Sequence, residues 1–152
     1  MGTNAGTVFI VQFTPGMEPN QNPSNVAMVY AIGPEGPQAK SVDDFLEAVE
    51  ATGKGIIDAI TMHNRAAESD SVSSVFRRIS TLRVCLISGA KYLHKKATKS
   101  EVASAILRGL SAGYVPGHSP SLNFAYDHES GSTESVFQQA YVTEGGDPER
   151  EL

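Results

Sequence analysis

Residues 71–96 read SVSSVFRRISTLRVCLISGAKYLHKK, and the fold class turns on the period assigned to them. Val72, Val75, Phe76, Ile79, Leu82 and Leu86 recur at the three- and four-residue spacing that gathers side chains on one face of a helix. Ser69, Asp70 or Ser71 stands where an N-cap would accept from the first free N–H groups. The stretch 81–88 (TLRVCLIS) carries a competing pattern, with Leu82, Val84 and Leu86 alternating against Arg83, Cys85 and Ile87 as on a strand. The longer row favours a helix. Counting on through Gly89 then brings Lys95 and Lys96 into line with Arg77 and Arg78 as two basic ridges. Arg83 fits this reading worst, because it falls on the apolar side. Cys85 is the only cysteine, which excludes an internal disulfide. Its apolar surroundings point to a small buried thiol.

Going outward from this stretch, Arg77, Arg78, Arg83, Lys91, Lys95, Lys96, Lys99 and Arg108 lie between Ser71 and His118, with Glu101 as the one carboxylate. The segments on either side are acidic, and the net charge is −5. A solvated helical face usually alternates the two signs. A one-signed block points instead to an anionic partner, since clustered Lys and Arg lower the free energy of a polyanion nearby.

Upstream, residues 7–13 (TVFIVQF) and 26–32 (VAMVYAI) are rich in β-branched and aromatic residues and read as two strands. The intervening TPGMEPNQNPSN can form only a surface loop. A strand pair alone is marginal in water, so this one must lie on the helices or pair with another chain. Ser41 caps a helix with Asp43 and Asp44 in its first turn and Val42, Phe45, Leu46 and Val49 on one face. Thr52-Gly53-Lys54-Gly55 is expected to end it, and Ile56, Ile57 and Ile60 to begin a second. Thr98 and Glu101 have the spacing of a capping box, opening a helix with Val102, Ala105, Ile106 and Leu110 inward and Gly113 as a left-handed stop. Residues 122–126 (LNFAY) suggest a short strand or an arm, and Ser132 a last helix. The expected architecture is mainly α (α+β): an N-terminal strand pair, then a four- to five-helix bundle with extended termini. The 152 residues suit a single domain, with 1–6 and 144–152 as mobile tails.

No catalytic signature emerges. His63, His94, His118 and His128 lack zinc-ligand spacing, and Gly53-Lys54-Gly55 lacks the remainder of a phosphate loop. No catalytic residue, metal or cofactor is therefore assigned. The apolar runs fall short of the ~20 residues that cross a bilayer, and no signal core is visible. The expectation is a cytoplasmic, non-enzymatic protein, with a virion as the other compartment considered. It would bind RNA or DNA through phosphates and self-associate, in the manner of a nucleoprotein or coat subunit. The contact residues would be Arg77, Arg78, Lys91, Lys95, Lys96, Lys99 and Arg108, with Tyr92 and Tyr114 placed to stack on unpaired bases. Two other classes compete. A small enzyme or ligand-binding domain would bring Arg77, Arg78 or Lys95 together with His94, His118, Asp127 and His128 in one pocket for a phosphate or carboxylate. A protein-interaction adaptor would dock the basic block on an acidic partner.

Overall fold

The computed structural model describes residues 5–69, 75–89 and 91–124. Strand β1 (Val8–Gln12) pairs antiparallel with β2 (Ala27–Ala31), and helix α1 (Val42–Glu68) follows. Strand β3 (Thr81–Val84), helix α2 (Lys99–Gly113) and strand β4 (Ser121–Phe124) then form a β-α-β unit in which β3 and β4 are parallel. The expected last helix from Ser132 and the tail 144–152 lie outside the described residues. No helix among the described residues is long and apolar enough to cross a membrane.

The bundle of four to five helices is overturned. The described residues form two α-helices and two strand pairs, and three tertiary contacts account for the difference. The first is the glycine pair in α1, which does not end the helix. Its 27 residues run unbroken because Gly53 is where α2 crosses. A methyl group on Gly53 would lie 2.6 Å from the Ile106 carbonyl oxygen, and one on Gly109 would lie 2.0 Å from that of Glu50. The two backbones meet at a distance that admits no side chain. Gly113 serves the same crossing. It is not left-handed, and a methyl there would strike Ile57 and Asp58 at 2.5 Å each.

The second lies in residues 75–84, where strand alternation defeats the helical row. Leu82 and Val84 turn into the core while Thr81, Arg83 and Cys85 face out, so the Cys85 thiol is exposed instead of buried. A fully buried amide enforces the extended path. Asn64 of α1 accepts from the Ile79 N–H at 2.8 Å and donates to the carbonyls of Ile79 and His118 at 2.9 and 2.7 Å. One side chain thereby supplies ladder bonds to the approach of β3 and ties it to the loop before β4. The third is the partner strand, since pairing with β4 satisfies the edge that a helix would have bonded internally.

Other elements form as the local signals indicate. Ser41 Oγ accepts from the Asp44 N–H at 3.0 Å. Thr98 and Glu101 complete a reciprocal capping box with bonds of 3.1 and 2.9 Å. Phe45, Val49, Ile57 and Ile60 of α1 are fully buried against Val102, Ile106, Leu107 and Leu110 of α2. Ile79, Leu82, Val84 and Leu122 close the core from the β3–β4 side, and Val8, Ile10, Val29 and Ala31 lie against it from the hairpin.

Gly109→Ala tests the crossing. Intrinsic helix propensity alone would raise stability by about 1 kcal/mol. Overpacking against the Glu50 carbonyl costs about 1–3 kcal/mol or more. The expected outcome is a lower Tm by several degrees in a thermal melt, at about 2–4 °C per kcal/mol for a chain of this size. A raised Tm would show that the helices separate at no cost.

Candidate functional site

The fold sorts the basic residues into two groups. Three of the arginines are tied down. Arg77 donates to Glu18 at 3.3 Å and to the Pro23 carbonyl at 3.2 Å, while Gln12 accepts from its backbone N–H and donates to the Val75 carbonyl. Arg78 pairs with Glu68 and donates to the Gly117 carbonyl at 2.9 Å. Glu68 also has His118 Nδ1 at 3.0 Å. Arg108 Nε donates to Glu50 at 2.7 Å across the helix crossing. These three arginines brace the hairpin loop, the approach to β3 and the α1–α2 contact. The two ridges expected from a continuous helix do not exist, because Arg77 and Arg78 precede a strand while Lys95 and Lys96 lie in the next loop.

The lysines of the basic block are gathered elsewhere, in the loop before α2 and at its first turn, near the N-terminal end of α1. The loop 33–40 before α1 and the loop before α2 pack together through Gly36, where a methyl would lie 2.2 Å from the His94 nitrogen. Gly36 N–H donates to the Tyr92 carbonyl at 2.7 Å, and Ser88 Oγ donates to that of Pro34 at 2.6 Å. His94 is buried beneath the contact, its ring centroid 5.9 Å from that of Phe45. Its Nδ1 accepts from the Lys96 N–H at 3.1 Å, which fixes the backbone from which Lys95 and Lys96 project. Between the loops opens a groove of about 570 Å³, with Lys40 and Ser41 on one wall and Leu93, His94, Lys95 and Lys96 on the other.

Lys40, Lys95 and Lys96 are exposed around this groove, with Lys99 at the first position of α2. Lys91 lies over the half-exposed Tyr92 ring at 5.6 Å. Among the described residues none of these five ammonium groups forms an ion pair. A second, smaller groove is acidic, lined by Asp43, Glu47 and Glu50 with Arg108. The outcome is a chain of net charge −5 with a rim of lysines that form no ion pair among the described residues.

No family model matches the chain. Two relatives are similar to it over most of its length. Each is named DNA/RNA-binding protein ALBA4. The chain is 40% identical over 141 residues to the protein of Plasmodium yoelii yoelii, covering 93% of this chain and 35% of the relative. It is 39% identical over 143 residues to the protein of Plasmodium falciparum (isolate 3D7), covering 94% of this chain and 36% of the relative. The chain thus spans about a third of the length of the curated relatives it matches.

Sequence reasoning missed Lys40, which stands alone in a Pro- and Gly-rich loop and reaches the cluster only through the Gly36 contact. The groups of the small-ligand alternative do not share one site among the described residues. His94 and Lys95 belong to the lysine groove, His118 and Arg78 to Glu68, and Arg77 to Glu18, while Asp127 and His128 lie outside the described residues. Tyr114 is packed on the core, so of the two tyrosines only Tyr92 is exposed. No group of three or more His, Cys, Asp or Glu among the described residues could hold a metal ion.

Glu18, the partner of Arg77, offers a check on the arginine brace. Its own backbone N–H, followed by that of Gly16 and by the Arg77 guanidinium, holds its carboxyl below the usual value against the opposing effect of burial. A lowered folded-state pKa contributes stability above the unfolded value, near ~4.3. That contribution is lost as pH falls through the lower folded value. Thermal melts against pH should therefore show Glu18→Gln less stable than the native chain above about pH 5, with the gap closing in acid. A gap that does not change with pH would show that the carboxylate charge is not its source.

Proposed function

We propose that this chain binds nucleic acid, with Lys40, Lys91, Lys95, Lys96 and Lys99 contacting phosphates. The observation that carries this reading is the rim of exposed ammonium groups around an open groove, none in an ion pair among the described residues, in a chain that is otherwise acidic. Holding lysines together costs repulsion, which the phosphates of a polyanion neutralise while its condensed counterions are released to solvent. Lysine suits the task because its mobile point charge follows a phosphate backbone without reading a base. The two relatives named DNA/RNA-binding protein ALBA4 support the same reading. Of the residues expected from the sequence, the four lysines Lys91, Lys95, Lys96 and Lys99 remain as contacts, Lys40 joins them, and Arg77, Arg78 and Arg108 are assigned to the scaffold. Self-association, the other part of the expectation, is read from light scattering on the same samples.

Fluorescence anisotropy with labelled single-stranded and duplex probes at two salt concentrations tests the reading. Replacing Lys40, Lys95, Lys96 and Lys99 by Gln should weaken binding and lower the slope of log K against log salt by about 0.7–0.9 for each lost phosphate contact. Arg108→Gln, which removes an arginine already engaged by Glu50, should leave that slope unchanged. Absence of salt-sensitive binding by the native chain would sink the proposal.

A further inference from the structure

The β1–β2 hairpin is apolar on both faces. Val8, Ile10, Val29 and Ala31 of its inner face pack on the core. The outer face carries Phe9, Val11, Met28, Tyr30 and Ile32, each 42–52% exposed. Phe9 and Tyr30 are cross-strand partners, and their rings stack at 5.2 Å between centroids with 16° between planes. A contiguous apolar face of this kind on a protein surface has a use.

What surrounds the rings points to their partner. Residues 5–13, 24–34 and 75–89 contain no carboxylate. A groove of about 600 Å³ runs between β2 and β3, with Met28 on one wall and Arg83 on the other. Val29, Ala31, Leu82 and Val84 line a cavity with Ile56 beneath this junction, and Arg83 and Cys85, on the exposed side of β3, reach its edge. Arg83 is exposed, lines the groove opposite Met28 and makes no ion pair among the described residues, unlike Arg77, Arg78 and Arg108. At the other end, β2 leads through Gly33 and Pro34 to Gly36, which is bonded to Tyr92 beside Lys91. The strand that carries Tyr30 thus borders the Arg83 groove along its length and runs on to the lysine loops at its end.

We infer that the outer face of the β1–β2 hairpin is a stacking platform for unpaired bases, with Phe9 and Tyr30 as its rings and Arg83 as its adjoining cation, so that the chain selects single-stranded over duplex nucleic acid. The inference rests on the nucleic-acid reading above and names its substrate class. A duplex hides the faces of its bases inside its stack and offers this platform only phosphates. An unpaired base offers a π-face that stacks on an aromatic ring whatever its identity. Arginine beside the rings can hold a phosphate or stack in turn.

The test measures anisotropy of labelled oligouridylate RNA and of an RNA duplex of the same length with three proteins: the native chain, the pair Phe9→Ile and Tyr30→Ile, and the lysine-to-Gln variant described above. Isoleucine keeps the β-branched, apolar character of the strands and removes the rings together with the Tyr30 hydroxyl, and circular dichroism checks that the hairpin variant folds. The expected result is a loss of oligouridylate affinity of about 5- to 150-fold per stacked base, no change with duplex, and a loss with both probes for the lysine variant. If the ring variants bind both probes as the native chain does, while the lysine variant loses both, the platform is overturned and the lysine reading stands. If the native chain binds neither probe, both readings fall together. If light scattering shows a native dimer that the ring variants convert to monomer with oligouridylate affinity unchanged, the face belongs to a second copy and the platform is overturned.

Discussion

Where α1 crosses α2, two backbones lie closer than any side chain would permit, and the rest of the molecule is arranged around that approach. Gly53 and Gly109 each face a carbonyl of the opposite helix, and Gly113 faces Ile57 and Asp58 one turn further on. Each interior glycine costs its helix about 1 kcal/mol relative to alanine. Burying Phe45, Val49, Ile57, Ile60, Val102, Ile106, Leu107 and Leu110 at about 1.5–3 kcal/mol apiece offsets that cost. The close crossing also brings Glu50 within reach of Arg108 and leaves the two helix N-termini near a common groove.

From this geometry follows the division between arginine and lysine. Arginine offers a planar fork of donors, and the folded chain uses it where several acceptors converge: Glu18 with Pro23, Glu68 with Gly117, and Glu50. Lys40, Lys91, Lys95, Lys96 and Lys99 are left at the loop rim, where none of them forms an ion pair among the described residues. Gly36 again depends on the absence of a side chain, because only a glycine lets the loop before α1 seat on the His94 backbone and set Lys40 opposite Lys95 and Lys96. Two close backbone approaches, one between helices and one between loops, thus shape both the core and the charged groove.

Several elements were legible because their causes are local. The hairpin strands, the Ser41 cap and the Thr98–Glu101 capping box depend on residues within a few positions of one another, and the structure forms each of them. The glycines of α1 and α2 were misread because their role is set by the opposite helix. A glycine that ends a helix and one that lets another helix approach look alike in sequence. The stretch 81–88 carried both periods, and the Asn64 bridge and the β4 edge decided between them from 15 residues or more away in the chain.

The amino-acid sequence by itself determined that positive charge is concentrated between Arg77 and Arg108, that the N-terminal third contains two strands, and where the two helices begin. Those properties arise from composition and from hydrogen bonds spanning three or four residues. The tertiary structure alone decided that residues 81–84 are a strand, that Arg77, Arg78 and Arg108 brace the scaffold, and that Lys40 stands with Lys95 and Lys96 while Phe9 and Tyr30 face outward. Each of these depends on which distant backbone comes close enough to offer a partner or exclude one, and such distances exist only once α1 and α2 have packed.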